Sequence, residues 1–326
     1  MDLKEAIFKI KTKEDFESLA LSVFKFQYKN NVVYRSFCDL LYKNPSDIRR
    51  LEDIPFLPIQ FFKSHKVLTA NNNIEQIFTS SGTTGNITSK HHITDIEIYK
   101  KSFRNGFIQH YGAIEDYAIL ALLPSYLERK GSSLIYMAED FITQSKHKES
   151  GFYLNDFEQL SETLQKLEDQ KQKTLLLGVS FALLGLIEYR TFKLKHTIVM
   201  ETGGMKGRRK EIIRQELHRI LKNGFGVSKI HSEYGMTELL SQAYSQGDGI
   251  FKCSKWMKVL TRNTEDPLSI QSSNKTGGLN IIDLANLNSC SFIATQDLGS
   301  VYDDGTFEVI GRFDNSDIRG CNLMVL

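Results

Sequence analysis

The residues best suited to chemistry lie in a run rich in serine, threonine and glycine. The segment FTSSGTTGNITSK occupies residues 78–90. Glycine lets consecutive backbone N–H groups converge on an anion, and hydroxyl groups add further donors. The sequence therefore predicts a phosphate-binding loop, assisted by the amino terminus of a following helix. Its residues are Ser80, Ser81, Gly82, Thr83, Thr84 and Gly85.

Two features limit that interpretation of the loop. The P-loop of many kinases and GTPases requires Gly-Lys-Ser/Thr, whereas Gly85 is followed here by Asn86 and Ile87. The chain is therefore not expected to be an enzyme of that class. A loop of this composition can also be an ordinary polar connection, so the loop alone does not establish a nucleotide site.

A second group of candidate residues lies in HSEYGMTE, residues 231–238. Tyr234 offers a flat ring to a purine, and Gly235 allows close approach of the backbone to a ligand. Thr237 offers a hydroxyl to a phosphate, and Glu238 offers an oxygen ligand to Mg²⁺. The alternative is a turn that leads into a helix, with Thr237 and Glu238 in its first turn.

Further polar residues follow other predicted strands. Gly203 and Gly204 come directly after an apolar segment, and Asp297 is placed where a strand is expected to end. A carboxylate such as Asp297 can accept hydrogen bonds from the two hydroxyls of a ribose. Arg312 follows Gly311 after a predicted hairpin.

The elements that position these residues predict an α/β fold. Apolar segments 117–123, 174–177 and 197–200, and a strand leading into His231, each end at polar residues or glycine, which is typical of a mostly parallel sheet covered by helices. Ligands of such sheets bind at the carboxyl ends of the strands. Beyond about residue 275, glycine pairs and alternating residues predict a smaller antiparallel part. The expected divisions are a helical lead-in at 1–75, the core at 76–310 and a hinge-like tail at 311–326.

Composition excludes several functional classes. The 326 residues carry a net charge of +2, and the basic run at 206–210 is the ordinary surface of a helix, so nucleic acid is not an expected partner. Segments with about 18 consecutive apolar residues, which a membrane span needs, are absent from the sequence. The four cysteines lack zinc or redox spacing and no secretory signal precedes them, so a cytoplasmic protein with reduced thiols is expected.

The order of the motifs resembles a known superfamily. SSGTTG, the Gly-Gly after a strand, YGMTE, TQDLG and GRFD occur between residues 79 and 314 in the order found in the adenylate-forming enzymes, which include acyl-CoA synthetases. The helical lead-in and the ending RGCNLMVL are most similar to the LuxE-type acyl-protein synthetases. The resemblance implies the large amino-terminal domain of these enzymes and ATP-dependent activation of a carboxylic acid, a fatty acid above all, as an acyl-adenylate.

The resemblance also implies roles for individual residues. The loop from Ser80 to Gly85 would hold the phosphates of ATP, and Gly203, Gly204 and Tyr234 would surround the adenine. Thr237 would contact the α-phosphate and Glu238 would bind Mg²⁺. The ribose would be bound by Asp297 and Arg312. The family's loop usually continues into Pro-Lys, where this chain has Ile87-Thr88, and whether Lys90 replaces that lysine is left open.

A further departure concerns the acyl acceptor. Members of the superfamily continue into a mobile carboxyl-terminal domain with a catalytic lysine, whereas this sequence stops at Leu326. By resemblance to the LuxE type, the expected acceptor is a protein thiol, Cys321, and the thioester could pass to an acyl reductase or an acyl carrier protein. The length of the acyl chain and the oligomeric state are left open.

Two alternative functions are also consistent with the sequence. Gly178-Val-Ser180-Phe-Ala approximates the nucleophile elbow of serine hydrolases, with alanine in place of the last glycine. That fold requires an acid and then a histidine after the serine, and no Asp lies between Ser180 and the last histidine, His231. The other alternative is a non-catalytic subunit that binds a nucleotide or acts as a scaffold.

Overall fold

The computed structural model describes residues 2–69, 73–80, 88–124, 131–203 and 212–313. Its α-helices in these ranges are α1 Leu3–Ile7, α2 Lys13–Asn30, α3 Val32–Leu40, α4 Phe61–Ser64, α5 Ile96–Tyr111, α6 Ser133–Ser145, α7 Phe157–Asp169, α8 Ser180–Tyr189 and α9 Arg214–Phe225. Short 3-10 helices occupy Leu51–Asp53, Ile114–Asp116 and Leu284–Asn286.

The strands form one large mixed sheet and one small hairpin. They are β1 Leu57–Pro58, β2 Gln76–Thr79, β3 Lys90–Ile93, β4 Ala118–Leu122, β5 Gly151–Phe152, β6 Thr174–Val179, β7 Thr197–Thr202, β8 His231–Tyr234, β9 Ala243–Ser245, β10 Ile250–Cys253, β11 Met257–Arg262, β12 Thr276–Asp283, β13 Phe292–Val301 and β14 Phe307–Arg312. The large sheet has the order β11-β12-β13-β14-β10-β9-β8-β7-β6-β4-β5, with β1 beside β13. Strands β2 and β3 pair with each other.

The parallel half of the sheet contains β5, β4, β6, β7 and β8. Its central strands are runs of buried apolar residues, because helices cover both faces. On β8, His231 meets Tyr111 of α5 and the next residue, Ser232, meets His218 of α9. Successive residues of a strand point to opposite faces, so α5 and α9 lie on opposite sides of the sheet.

The prediction of an α/β fold with a parallel core and a later antiparallel part is confirmed. The predicted strands at 117–123, 174–177 and 197–200 correspond to β4, β6 and β7, although β6 and β7 extend two residues further. The predicted strand at His231 is also present as β8, but it begins at that residue and does not end there. Within the described part of the chain, none of the helices is both long enough and apolar enough to span a membrane.

The antiparallel half contains β9 to β14 and changes one prediction. Asp297 was expected at the end of a strand, but it lies inside β13 and pairs with Arg312 of β14. The strand continues past Asp297 because a bulge between Leu298 and Gly299 lets the pairing with β14 resume. A Cβ atom at Gly299 would come within 2.0 Å of the Glu308 carbonyl oxygen, so this close approach requires glycine.

The amino-terminal helices pack against the antiparallel half. Helix α2 begins at a capping box formed by Thr12 and Asp15. Farther along α2, the Gln27 amide donates to the carbonyl of Asn286 at 3.0 Å. Asn31, which caps α3, donates to the carbonyl of Ser289 at 2.8 Å. These buried amides fix the turn between β12 and β13, which lies beside the candidate site.

Candidate active site

The candidate site lies where two parallel strands end side by side. Strand β7 ends at Thr202 and is followed by Gly203, and strand β8 ends at Tyr234 and is followed by Gly235. Thr202 is directly opposite Glu233 in the pairing of the two strands. Gly203 has a φ of +66°, a conformation that favours glycine. The two glycine-containing segments therefore leave the sheet at the edge where ligands of α/β proteins bind.

Tyr234, Asp297 and Arg312 form one group, joined by a hydrogen bond and an ion pair. The Tyr234 hydroxyl donates to Asp297 Oδ2 at 2.7 Å, and Arg312 Nε lies 3.4 Å from Asp297 Oδ1. The Arg312 side chain is 70% exposed, whereas that of Asp297 is 12% exposed. The arrangement presents one nearly buried carboxylate and one accessible cation to the same space.

Burial and hydrogen bonding act in opposite directions on Asp297. Burial raises the pKa of the Asp297 carboxyl, while the Tyr234 hydroxyl and the nearby Arg312 and Arg262 guanidinium groups lower it. The two cations favour the ionised form, which has only acceptor atoms. In that form Asp297 can accept hydrogen bonds from hydroxyl groups of a ligand.

The Tyr234 ring is packed by two phenylalanines from the antiparallel half. Its centroid lies 5.8 Å from that of Phe251 and 5.5 Å from that of Phe307. The two phenylalanine rings stack on each other at 5.4 Å. These contacts fix the ring, and the side chain as a whole remains partly exposed.

Glu238 lies at the base of the predicted phosphate loop. Ser80 and Ser89, which flank residues 81–87, are joined by hydrogen bonds from Ser80 N to Ser89 O at 3.1 Å and from Ser89 N to Ser80 Oγ at 2.9 Å. The Ser89 side chain is close enough to the Glu238 carboxyl to lower its pKa. The structure thus brings Glu238 to the point where the loop enters and leaves the β2–β3 pair.

The environment of Glu238 is suited to binding a cation. Burial raises the pKa of the Glu238 carboxyl, and the Ser89 side chain and the charges of Arg312 and Lys63 oppose this shift. A bound cation would compensate the burial of the ionised form. In the described ranges no group of three or more His, Cys, Asp or Glu side chains could hold a metal by itself. Mg²⁺ is commonly held by one or two carboxylates together with substrate phosphates, so Glu238 fits a site that phosphate oxygens complete.

Two local predictions around these residues were wrong. The loop is not followed directly by a helix, because residues 88–89 lead into β3 and α5 begins only at Ile96. The alternative prediction of a helix after YGMTE also fails, since residues 237–238 form a turn and no helix follows before β9. Anion binding by the loop would therefore depend on its own backbone and hydroxyl donors.

Several predicted residues lie outside the described ranges. They are Ser81, Gly82, Thr83, Thr84, Gly85, Gly204 and Cys321, together with the basic residues at 206–210. Thr237 is partly exposed, and its carbonyl lies 2.9 Å from His91 Nδ1. Lys90, considered as a replacement for the family's loop lysine, is the exposed first residue of β3.

Glu233 is a residue of the site that sequence reasoning missed. Its carboxyl accepts a hydrogen bond from Thr202 Oγ1 at 2.5 Å, and burial raises its pKa to about 7. A Cβ atom at Gly235 would come within 2.4 Å of Glu233 Oε1, so the carboxyl lies directly over the Gly235 backbone. One sequence signal could have identified it. Both faces of a strand in a parallel core are buried, so the charged residue between Ser232 and Tyr234 was a candidate buried carboxyl.

Ser180, the residue considered for a serine hydrolase, starts α8 at the end of β6. Its hydroxyl donates to the Gly203 carbonyl at 2.7 Å and lies 3.3 Å from Glu201 Oε2. His231 Nδ1 lies 3.2 Å from the Tyr111 hydroxyl. The structure therefore places the Ser180 hydroxyl against Gly203 and Glu201, and His231 against Tyr111.

Comparisons with known proteins identify relatives of this arrangement. The family described as acyl-protein synthetase, LuxE, matches residues 8–117. A long-chain-fatty-acid–luciferin-component ligase of Photorhabdus luminescens is 41% identical over 70 residues, which are 21% of this chain and 60% of that protein. A protein of the same name from Vibrio harveyi is 22% identical over 94% of this chain and 85% of its own length. The resemblance to the LuxE-type acyl-protein synthetases is confirmed.

Solved structures establish the fold. An open conformation of 2-hydroxyisobutyryl-CoA ligase, in complex with 2-HIB-AMP and CoA, matches 93% of this chain and 71% of its own with a TM-score of 0.67 at 12% identity. The fold is that of the adenylate-forming enzymes. ATP-bound MatB from Rhodopseudomonas palustris shares this adenylate-forming fold with a TM-score of 0.53 at 15% identity over 74% of this chain. The chain spans 48% of the length of MatB and 60% of the length of the Photorhabdus protein.

Proposed function

We propose that this chain activates a carboxylic acid with ATP as an acyl-adenylate and then transfers the acyl group to a protein thiol. The observation that carries the proposal is the convergence of Asp297, Arg312 and Glu238 beside the flanks of the phosphate loop. The names of the relatives favour a long-chain fatty acid as the substrate. The adenylate-forming fold and the family match at residues 8–117 support the same reaction class.

Each residue of the group has a part in binding ATP. Asp297 accepts hydrogen bonds from the ribose hydroxyls, and Arg312 contributes positive charge beside it. Tyr234, Gly203 and Gly204 surround the adenine. Residues 80–85 donate hydrogen bonds to the phosphates, and Thr237 donates to the α-phosphate. Glu238 holds Mg²⁺, which when bound neutralises charge on the phosphate oxygens.

The first step joins the acid to the α-phosphorus of ATP. A carboxylate oxygen forms a bond to the α-phosphorus while the bond to the bridging oxygen breaks, and pyrophosphate leaves with that electron pair. Donors at the loop and at Thr237 stabilise the charge that develops on the phosphate oxygens. The carboxylate is already ionised at neutral pH, so this step does not require a general base.

The second step requires a reactive thiolate, and the environment of the cysteines selects one candidate. Cys38 and Cys290 are buried and Cys253 is partly buried. Burial raises the pKa of Cys38 and of Cys253 to about 12 and raises that of Cys290 further, so these thiols are poor nucleophiles. Cys321 is the remaining cysteine of the sequence. Its thiolate attacks the acyl carbonyl, a thioester forms and AMP leaves.

The test separates the two steps. Exchange of labelled pyrophosphate into ATP, with acids from short to long chains, reports the adenylate alone. Labelling with radioactive acid and ATP reports the thioester. Both assays are run on the wild type, on Cys321→Ala and on Cys253→Ala, which serves as the matched cysteine control.

The expected result is exchange by all three proteins and acylation of the wild type and Cys253→Ala only. Acylation of Cys321→Ala would overturn the assignment of the thiol but leave the adenylation step intact. Failure of the wild type to exchange with any acid would overturn the proposed reaction. A protein that binds ATP without exchange would then be a nucleotide-binding or scaffolding subunit.

A further inference from the structure

His91 is a fully buried histidine in β3 whose two ring nitrogens both have partners. Nδ1 lies 2.9 Å from the carbonyl oxygen of Thr237, and Nε2 lies 2.9 Å from Ser289 Oγ. A carbonyl oxygen only accepts, so the hydrogen bonds assign the ring proton to Nδ1 and make Nε2 the acceptor of the Ser289 hydroxyl. Burial lowers the pKa of the His91 imidazole to about 4, which keeps this neutral form at neutral pH.

His91 lies on β3, close in sequence to the predicted phosphate loop. Strand β3 is the segment by which the chain leaves the phosphate loop, and Ser89 precedes His91 by two residues. Residues two apart on an extended chain point to the same side. The Ser89 side chain lowers the pKa of the Glu238 carboxyl, and His91 donates to the carbonyl of Thr237. The same side of this segment therefore faces Thr237 and Glu238, the two adjacent residues to which the proposed reaction assigns roles.

The turn that contains Thr237 and Glu238 is held from two directions. From the β12–β13 side, the Asn286 amide donates to the Glu238 carbonyl at 2.8 Å. Asp283 on the same side accepts from the backbone N–H groups of Leu240 and Ser241 at 2.8 and 2.9 Å. His91 holds the turn from the side of β3. The separation of 146 residues between His91 and Thr237 makes this a tertiary connection and not a local turn.

We propose that His91 is a positioning residue that holds strand β3 against the turn that contains Thr237 and Glu238. The inference rests on the proposed adenylation for its kinetic consequence. A purely structural role is the alternative, since the His91 ring also packs edge-on against Phe62 at 5.4 Å. A structural role alone predicts lower stability with unchanged turnover of the folded protein. A positioning role predicts loss of turnover with little change in ATP binding.

Three variants distinguish these roles. His91→Phe keeps a ring against Phe62 but removes both hydrogen bonds. His91→Asn places an amide N–H near the position of Nδ1 and so retains the bond to Thr237. Ser289→Ala removes the second partner of the imidazole, together with a longer contact of 3.4 Å from Ser289 Oγ to the Asn286 carbonyl, and is the matched control. Thermal melts of all three proteins determine the folded fraction at the assay temperature.

The kinetic readout is pyrophosphate exchange with the ATP concentration varied. We expect His91→Phe to lower kcat about 30-fold with a change of at most about threefold in the KM for ATP, since small displacements of reacting groups cost up to about 10² in rate. His91→Asn and Ser289→Ala should remain within about threefold of the wild type, the spread that one neutral hydrogen bond can cause. Wild-type kcat in folded His91→Phe, or equal loss in His91→Asn, would overturn the proposal.

A second readout does not depend on turnover. Amide hydrogen exchange at 88–90 and 237–241 reports how firmly the two segments are held together. We expect faster exchange at both segments in His91→Phe and wild-type rates in Ser289→Ala. Unchanged protection in His91→Phe rejects the inference even if the wild type shows no pyrophosphate exchange. If His91→Phe loses protection but the wild type shows no pyrophosphate exchange, the inferred role of His91 in holding the two segments together is supported and the proposed reaction is rejected.

Discussion

The hydroxyl of Tyr234 donates a hydrogen bond to Asp297 at 2.7 Å, although β8 and β13 are separated in the sheet by β9, β10 and β14. At about 4.8 Å per strand, a flat sheet would hold the two strands about 19 Å apart, beyond the reach of both side chains. The sheet must therefore curl strongly between β8 and β13. Phe251 and Phe307, which pack against the Tyr234 ring, lie on the intervening strands β10 and β14. The curl brings the end of the parallel half to the proposed ribose site.

Replacement of Tyr234 by Phe tests the role of this bond. The change keeps the ring and its contacts with Phe251 and Phe307 but removes one donor from Asp297. We expect the KM for ATP in pyrophosphate exchange to rise about tenfold, since one hydrogen bond to a charged group contributes about 1.5 kcal/mol. Tyr42→Phe, at a side chain that is 92% exposed, is the control. An unchanged KM in Tyr234→Phe would show that the bond does not support the ATP site.

Replacement of Glu238 by Gln tests its assignment to Mg²⁺. The substitution preserves size and removes the charge of a carboxyl that is buried beside Ser89. We expect the exchange rate to fall about 10²-fold or more, the scale of loss seen when one group that stabilises transition-state charge is removed. The Mg²⁺ concentration for half-maximal rate should also rise. Glu158→Gln, at an exposed position of α7, is the control, and equal rates in the two variants would contradict the assignment.

The fold was largely predictable from local patterns. The apolar runs at 117–123 and 174–177 identify strands buried on both faces, and Asp303-Asp304-Gly305 marks the hairpin between β13 and β14. Asp297 was misplaced at a strand end because its strand continues through a bulge, and the pairing that maintains the strand comes from β12 and β14. Local sequence does not show such partners.

The connections within the site were not predictable for a related reason. The bond between Tyr234 and Asp297 depends on the curl of the sheet, and the bond between His91 and Thr237 joins residues 146 positions apart. Periodicity and turn chemistry describe neighbours in sequence and contain no information on such distances. The glycines and hydroxyls of the candidate site were predicted from the sequence, whereas the buried side chains Glu233 and His91 were not.

The environments of the cysteines predict selective alkylation. Cys38 and Cys290 are buried, and burial raises the pKa of the partly buried Cys253 to about 12, so few thiolates are available at these positions. Treatment of the native protein with iodoacetamide at pH 7.5 should label Cys321 first. The other three should react only after denaturant is added, as peptide mass spectrometry can determine. Equal labelling rates at Cys253 and Cys321 in native protein would contradict this expectation.

The buried carboxyl of Glu233 predicts a pH dependence of stability. Burial raises its pKa to about 7 from an ordinary value of 4.5, and the like charge of Glu201 adds to the shift. The folded protein therefore binds a proton that the unfolded chain releases between about pH 4.5 and 7. The stability associated with the protonated carboxyl is fully present below pH 4.5 and is lost as the pH rises through about 7, with a magnitude of about 3 kcal/mol.

Glu233→Gln isolates this contribution. Glutamine keeps an oxygen that can accept from Thr202 Oγ1 but cannot ionise. The free energy of unfolding is measured with urea at pH 5 and at pH 8. The difference between the variant and the wild type should shift in favour of the variant by up to about 3 kcal/mol from pH 5 to pH 8. Other buried carboxyls, such as Asp283 with its pKa raised to about 6, are present in both proteins and cancel in the difference. If the difference between the two proteins is the same at both pH values, Glu233 does not titrate in this range.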